Sequence, residues 1–311
     1  MPVRIVSESR NTTPREVEEK PKRRRPRLWH VAALLAVVLL VTAITTAMLN
    51  RSHPVSTETP STSTTDSWPN STTPASEPPV GSQPIPGVDG LTRGTASVTT
   101  GNTGGAMAGI PIGWPQTLDG AVSAAMTYQS ATYAPAVLLP KTQKAVQQRL
   151  YTAEGLRVSA SPADMLAKIR KKLRISDDGK ILLNGKVSPK EQLYASGYPR
   201  YGAYKLVSHE GPDDQPTLAV TDVWFPFVMG PGTDTKTDEL YVGWVRALVE
   251  VKWENGDWKI NGVRASNTFP MPPDPRRTNQ TFQARRDLLG PGWSVLADAT
   301  EEPLPEAVLT R

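Results

Sequence analysis

Side chains able to do acid–base chemistry are sparse in this chain, and they come near one another only around His209. Of three histidines, His209 is the one that lies beyond residue 53. With Glu210 beside it and Asp222 a short way on, it offers the residue types of a general acid–base pair. A Ser-His-Asp set can be assembled on paper from His209 and Asp222, but no serine sits in a nucleophile motif. The run His209-Glu210-Gly211-Pro212-Asp213 reads instead as the turn after a strand, which makes His209 a strand-end surface residue. There is no cysteine, so thiol nucleophiles, thiolate metal sites and disulfides are excluded. No histidine pair has metal-ligand spacing. Gly101-Asn102-Thr103-Gly104-Gly105 looks like a phosphate loop but follows no strand and opens no helix. The sequence therefore assigns no catalytic, cofactor-binding or metal-binding residue. What remains is an aromatic group, Trp224, Phe225, Phe227 and Trp244, which reads either as core or as a partner-binding face.

These residues lie on segments with strand character. Residues 204–209, 217–228 and 241–253 alternate in polarity or are rich in β-branched and aromatic side chains. Asn255-Gly256 is a two-residue type I′ turn signal, and accepting it sets the register of the last hairpin. Trp253 then opposes Trp258, Val251 opposes Ile260, Lys252 opposes Lys259, and Glu254 opposes Asp257. One face of that hairpin is apolar and the other polar, as a half-buried antiparallel sheet requires. Further along the same strand, Trp244 alternates onto the face opposite Trp253, together with Val242 and Leu248. Both faces there are apolar, which reads either as core on both sides or as one face against helices and the other against a partner.

Three helices are expected before the strands. Thr117 caps the first, residues 118–133, which carries Asp119 in its first turn and Leu118, Ala121, Val122, Ala125 and Tyr128 at helical spacing. The second covers 141–153 and should stop at Gly155. The third is capped by Ser161, with Pro162 first and Asp164 third, and carries the stripe Met165, Leu166, Ile169 and Leu173. Its basic residues, Lys168 to Arg174, read as a solvated face. Helices followed by antiparallel strands make an α+β domain: about three helices on a curved antiparallel sheet. Residues 176–200 take no clear assignment.

Upstream, residues 29–49 form an apolar run with ten Leu, Ile and Val residues and only His30 as an ionisable group. About 20 residues span a bilayer core, and ten such side chains favour insertion by roughly 3–6 kcal/mol. A buried soluble helix would not be apolar on every face, and a signal peptide would be shorter and end in a better cleavage site. The first 27 residues carry nine basic and four acidic side chains, a net of +5 that equals the net charge of the whole chain. The remainder is neutral, which gives no support for nucleic-acid binding. Basic residues before the span hold the N-terminus in the cytoplasm. Residues 50–107 are rich in Ser, Thr, Pro and Gly and read as a disordered stalk.

The resulting division is a basic tail (1–28), a transmembrane helix in the lipid bilayer (29–49), the stalk (50–107), an extracytoplasmic α+β domain (108–268) and a Pro-rich connection with an appendage (269–311). Gly109-x-Pro111-x-Gly113, then Thr117, Gly120-Ala121 and Ala124-Ala125, resembles the opening motif of an uncharacterised domain in actinobacterial single-pass membrane proteins. Their chain also ends such a domain in a strand–turn–Asp-Trp hairpin, here Asp257-Trp258. The element order resembles the nuclear-transport-factor-two-like cone fold. The layout is similar to bitopic cone-fold scaffold proteins of conjugation and type IV secretion channels. Those resemblances imply a non-enzymatic interaction or scaffold domain with a protein partner outside the membrane, or a homo-oligomer. The alternative is a cell-wall-associated binding module or a cone-fold enzyme acting on a small molecule, for which a deep polar pocket holding His209 and Asp222 would speak.

Overall fold

A computed structural model describes residues 81–159, 166–168, 170–171, 174–183, 186–232, 241–266, 269–272 and 281–304. The expected membrane span and most of the helix capped by Ser161 lie outside the described residues. Among the described residues, no helix is long and apolar enough to cross a membrane.

The α+β expectation holds, with the sheet as the larger part. Nine strands form one sheet: β1 (Gln83–Ile85), β2 (Val88–Arg93), β5 (Lys180–Leu183), β6 (Lys186–Gly197), β7 (Ala203–Glu210), β8 (Leu218–Gly232), β9 (Tyr241–Glu254), β10 (Asp257–Ala265) and β11 (Trp293–Val295). A separate small hairpin pairs β3 (Ala106–Met107) with β4 (Ile110–Pro111). The long strand β8 is the spine. β9 runs antiparallel along one side of it, and β7 and β6 follow one another along the other. Strand β11 joins β7 at Ser294↔Tyr204 and pairs in parallel with β2.

The β9–β10 hairpin has the register its turn residues dictate. Trp253 opposes Trp258, Val251 opposes Ile260 and Lys252 opposes Lys259. Asn255 and Gly256 both have positive φ, 58° and 77°, the conformation a type I′ turn needs. The pairing shifts by one residue after Ile260, a bulge at Asn261 that bends the strand.

On one face of this sheet lies α1 (Leu118–Ala131), capped by the Thr117 hydroxyl, which accepts from the Gly120 N–H at 3.1 Å. Ala121, Ala124 and Ala125 are fully buried, so α1 approaches the sheet closely against Val223, Phe225, Ala247 and Val249. Helices α2 (Pro135–Leu138), α3 (Pro140–Leu150) and α4 (Ala153–Val158) follow it. Gly155, expected to stop the second helix, instead sits inside α4. The chain leaves α3 at Tyr151, and Thr152 caps a new helix by accepting from the Gly155 N–H at 2.9 Å. Close approach explains the glycine: a Cβ there would lie 2.1 Å from the Ile260 carbonyl oxygen.

Two boundaries differ from the sequence reading. Residues 81–107, expected in the stalk, contribute β1 and β2 to the main sheet, and Leu91 is buried. Residues 281–304, expected as an appendage, belong to the domain, because α5 (Phe282–Leu289) packs on the sheet and β11 is one of its strands. Within the unassigned region 176–200, β5 and β6 pair antiparallel.

Candidate functional site

Cross-strand pairing decides whether His209 and Asp222 can act together. His209 is opposite Ala219, whose side chain is buried in the cluster under the helices, whereas Asp222 is opposite Lys205 on the far face. The two side chains thus belong to opposite faces of the sheet, and no single pocket can hold both. His209 Nε2 lies 2.9 Å from an oxygen of Asp213 at the strand end, and Glu210 is exposed. Asp222 is buried and accepts from Arg246 through both oxygens, with Nη2 at 2.6 Å and Nε at 3.1 Å. Burial pushes the Asp222 carboxyl up from the ordinary carboxylate range, opposed by the Arg246 guanidinium. Arg246 in turn lies over the ring of Trp293, 5.2 Å from its centroid. Among the described residues no three His, Asp or Glu side chains gather as a metal site would need.

The four aromatic candidates are all buried and divide between the faces. Phe225 and Phe227 point to the helix side, where Phe227 stacks on Tyr133 with centroids 4.3 Å apart. Trp224 and Trp244 stack on each other on the far side, 4.0 Å apart. That second face, which the sequence reads either as core or as a partner-binding face, is core, because this chain covers it. Ile85, Phe269, Phe282 and Trp293 pack there, and beyond them Leu304 and Tyr201 cover Val228 and Val242.

The described residues cover the far face only in part. Past the Asp222–Arg246 pair, Leu218, Val220 and Leu248 are half-buried and belong to none of the three core clusters among the described residues. Lys205, Lys252, Lys259 and Arg264 border this strip, interspersed with Glu210 and Glu250. Glu250 is held by Asn261, whose amide donates to it at 2.5 Å, and Lys259 lies 3.5 Å from Glu254.

Sequence reasoning missed the most heavily bonded carboxylate. Asp257 was placed on the polar face of the hairpin, but it is 2% exposed and turned toward α1. Its oxygens accept from the Gly113 N–H at 3.2 Å, the Trp258 N–H at 2.8 Å and the Tyr128 hydroxyl at 3.4 Å. Arg149 completes the set at 2.5 Å. Burial, with Asp257 beside it, pushes the Tyr128 phenol far above its ordinary value. Next in the chain, Trp258 donates its indole N–H to the Pro115 carbonyl at 2.8 Å. The Asp-Trp pair therefore clamps the Gly113–Pro115 corner onto the sheet, which joins the two ends of the motif described above. The hydrophobic alternation gave no sign of this, since the donor lies 144 residues away.

A second missed residue is Arg285 on α5, which is fully buried. It donates to the carbonyls of Gly202 and Thr300, and its guanidinium lies 5.0 Å from the Phe282 ring centroid. Burial pushes its pKa down to about 10, which leaves it charged at neutral pH. It ties residues 297–304 down, helped by Arg93, which donates to the carbonyls of Ala297 and Ala299.

No family model matches the chain, and no curated protein does. A similar solved structure is the crystal structure of the intermembrane space region of the chloroplast protein ARC6, at 13% identity and a TM-score of 0.27, covering 47% of this chain and 92% of that one. A likeness of that size carries no inference about fold or activity.

Proposed function

We propose that this protein is a membrane-anchored interaction domain: the span at 29–49 sits in the bilayer, and the α+β domain, a variant of the nuclear-transport-factor-two-like cone, presents a binding face outside it. The observation that supports the reading is the half-buried strip of Leu218, Val220 and Leu248 on the far face of the sheet. An antiparallel sheet commonly leaves one face to water, but that face is then polar at alternate positions. Here apolar side chains persist beyond the last residues that the chain covers, and cations border them. That composition suits a protein surface with an apolar ridge and acidic flanks. The similarity in layout to conjugation and secretion scaffolds supports a partner among other envelope components. His209 and Asp222, on opposite faces, give the enzyme alternative no support.

The test is site-specific cross-linking in the native cells. A photo-reactive side chain at Val220 or Leu248 should give a discrete product that the same group at Lys144, on exposed α3, does not. Lys205→Glu with Lys252→Glu should remove it. Equal labelling from both faces would count against the surface. Protease added to intact cells should release the C-terminal domain, and its full protection would count against the topology.

A further inference from the structure

The stretch Phe269-Pro270-Met271-Pro272 is shaped by its own covalent chemistry. Proline fixes φ near −65° at 270 and 272, and each proline pushes the residue before it into extended conformation. Proline chemistry thus favours an extended, polyproline-like course for these residues without any need for a ladder. Among the described residues, 269–272 make no backbone–backbone hydrogen bond. Among the described residues, Trp224 and the cluster around it hold them. The Trp224 indole N–H donates to the Pro270 carbonyl at 3.0 Å, and Phe269 packs into the same cluster. Met271 points away and is 54% exposed. Residues 297–304 make the contrast, since backbone carbonyls there are tied by Arg93, Arg200, Arg285 and Tyr201.

An aromatic platform whose indole N–H takes a carbonyl from an extended proline segment is the mode by which proline-rich peptides are read. A second donor of the same kind lies beside the first. Trp244 stacks on Trp224 at 4.0 Å, and its buried Nε1 has no hydrogen-bond partner among the described residues. A buried donor left unpaired is costly, on the order of 1–3 kcal/mol. An incoming peptide that offers another carbonyl there would recover it.

We propose that the Trp224–Trp244 face is a recognition site for an extended, proline-containing peptide of a partner protein, occupied in this structure by the chain's own residues 269–272. The strap is a stand-in ligand, and a partner gains access by displacing it. This site is separate from the Leu218–Leu248 strip, so either surface can fail its test without affecting the other.

The experiment uses the full chain in detergent and a fluorescein-labelled peptide with the sequence of residues 267–274. A Pro270→Gly, Pro272→Gly variant loosens the strap. It should bind the peptide at least about tenfold more tightly than the wild type, whose competent fraction the strap reduces. Adding Trp224→Phe should cost about tenfold, the worth of one indole hydrogen bond. A peptide with alanine at each proline should not bind. No rise in anisotropy with a loosened variant that melts like the wild type would overturn the proposal, as would equal binding of the alanine peptide. Should loosening disturb the fold, Met271→Cys gives the chain a single thiol for an environment-sensitive dye. Excess peptide must then shift the dye's emission in an otherwise native chain, and no shift at saturation is equally decisive against the site.

Discussion

Asp257 and Gly113 are joined across 144 residues by a bifurcated hydrogen bond, the Gly113 N–H reaching both carboxylate oxygens at 3.2 Å. That contact connects the last hairpin to the corner that leads into α1. Without Asp257, the partly buried Arg149 and two backbone N–H groups would lose their acceptor. Asp257→Ala should destabilise the protein by about 3–5 kcal/mol, the usual cost of breaking a buried pair. Asp257→Asn, which keeps an acceptor, should cost less. Urea denaturation of both variants checks the order, and equal midpoints would contradict the clamp.

Gly120 tests a conflict between propensity and packing. Alanine in place of glycine inside a helix ordinarily stabilises by about 1 kcal/mol. At Gly120, a Cβ would lie 2.0 Å from the Pro115 carbonyl oxygen, a backbone atom that cannot step aside. Gly120→Ala is therefore expected to lower the melting temperature, where an exposed helix would show a rise. Thermal unfolding by circular dichroism decides the sign.

Asp222 should leave a trace in the pH dependence of stability. Its carboxyl is raised by burial in the native state, with Arg246 opposing, so the native state holds a proton that the unfolded chain has already released. Its contribution is fully present below the unfolded value of about 4 and is lost as pH rises through the native value. Asp222→Asn removes the titration. Comparing urea midpoints from pH 4 upward, the wild type should lose stability relative to the variant. Parallel profiles would show that Arg246 cancels burial, and a wild-type gain would show that it outweighs it.

The half-buried strip on the far face should be dispensable for folding. Leu248→Ser and Val220→Thr leave the three core clusters untouched and should change stability by less than about 1 kcal/mol. Cross-linking from a neighbouring position should nevertheless fall sharply. A large loss of stability would instead assign these residues to the core.

What the sequence made legible was local. Asn255-Gly256 and the period-two alternation around it determine the same register independently, so the β9–β10 hairpin could be read before any fold was known. Thr117 announced the start of α1 for the same reason, a cap acting on a donor three residues away. Strands β1, β2 and β11 were hidden because each is only three to six residues long, and the first two sit in Pro- and Ser/Thr-rich sequence. Their pairing partners, not their own residues, make them strands. Asp257 was misplaced by a rule that is right for its neighbours, since alternation cannot foresee a distant N–H. A better sign existed for the tryptophan face. Val223 to Val228 is an unbroken apolar run, the mark of a strand buried on both sides, and it already argues against an open aromatic surface.

The parallel seam between β2 and β11 has a consequence for how the chain comes to be folded. Thr92 and Ser294, whose hydroxyls bond across it at 2.7 Å, are 202 residues apart. A ribosome finishes β2 long before its neighbour exists, and β11 is what connects β2 to the rest of the sheet. Assembly in order of synthesis must therefore stall with Leu91 and the tryptophans still wet, until β11 emerges and closes the seam. Contacts of such long range are slow to form, so a nascent chain of this protein has an exposed, adhesive interval that its finished form conceals.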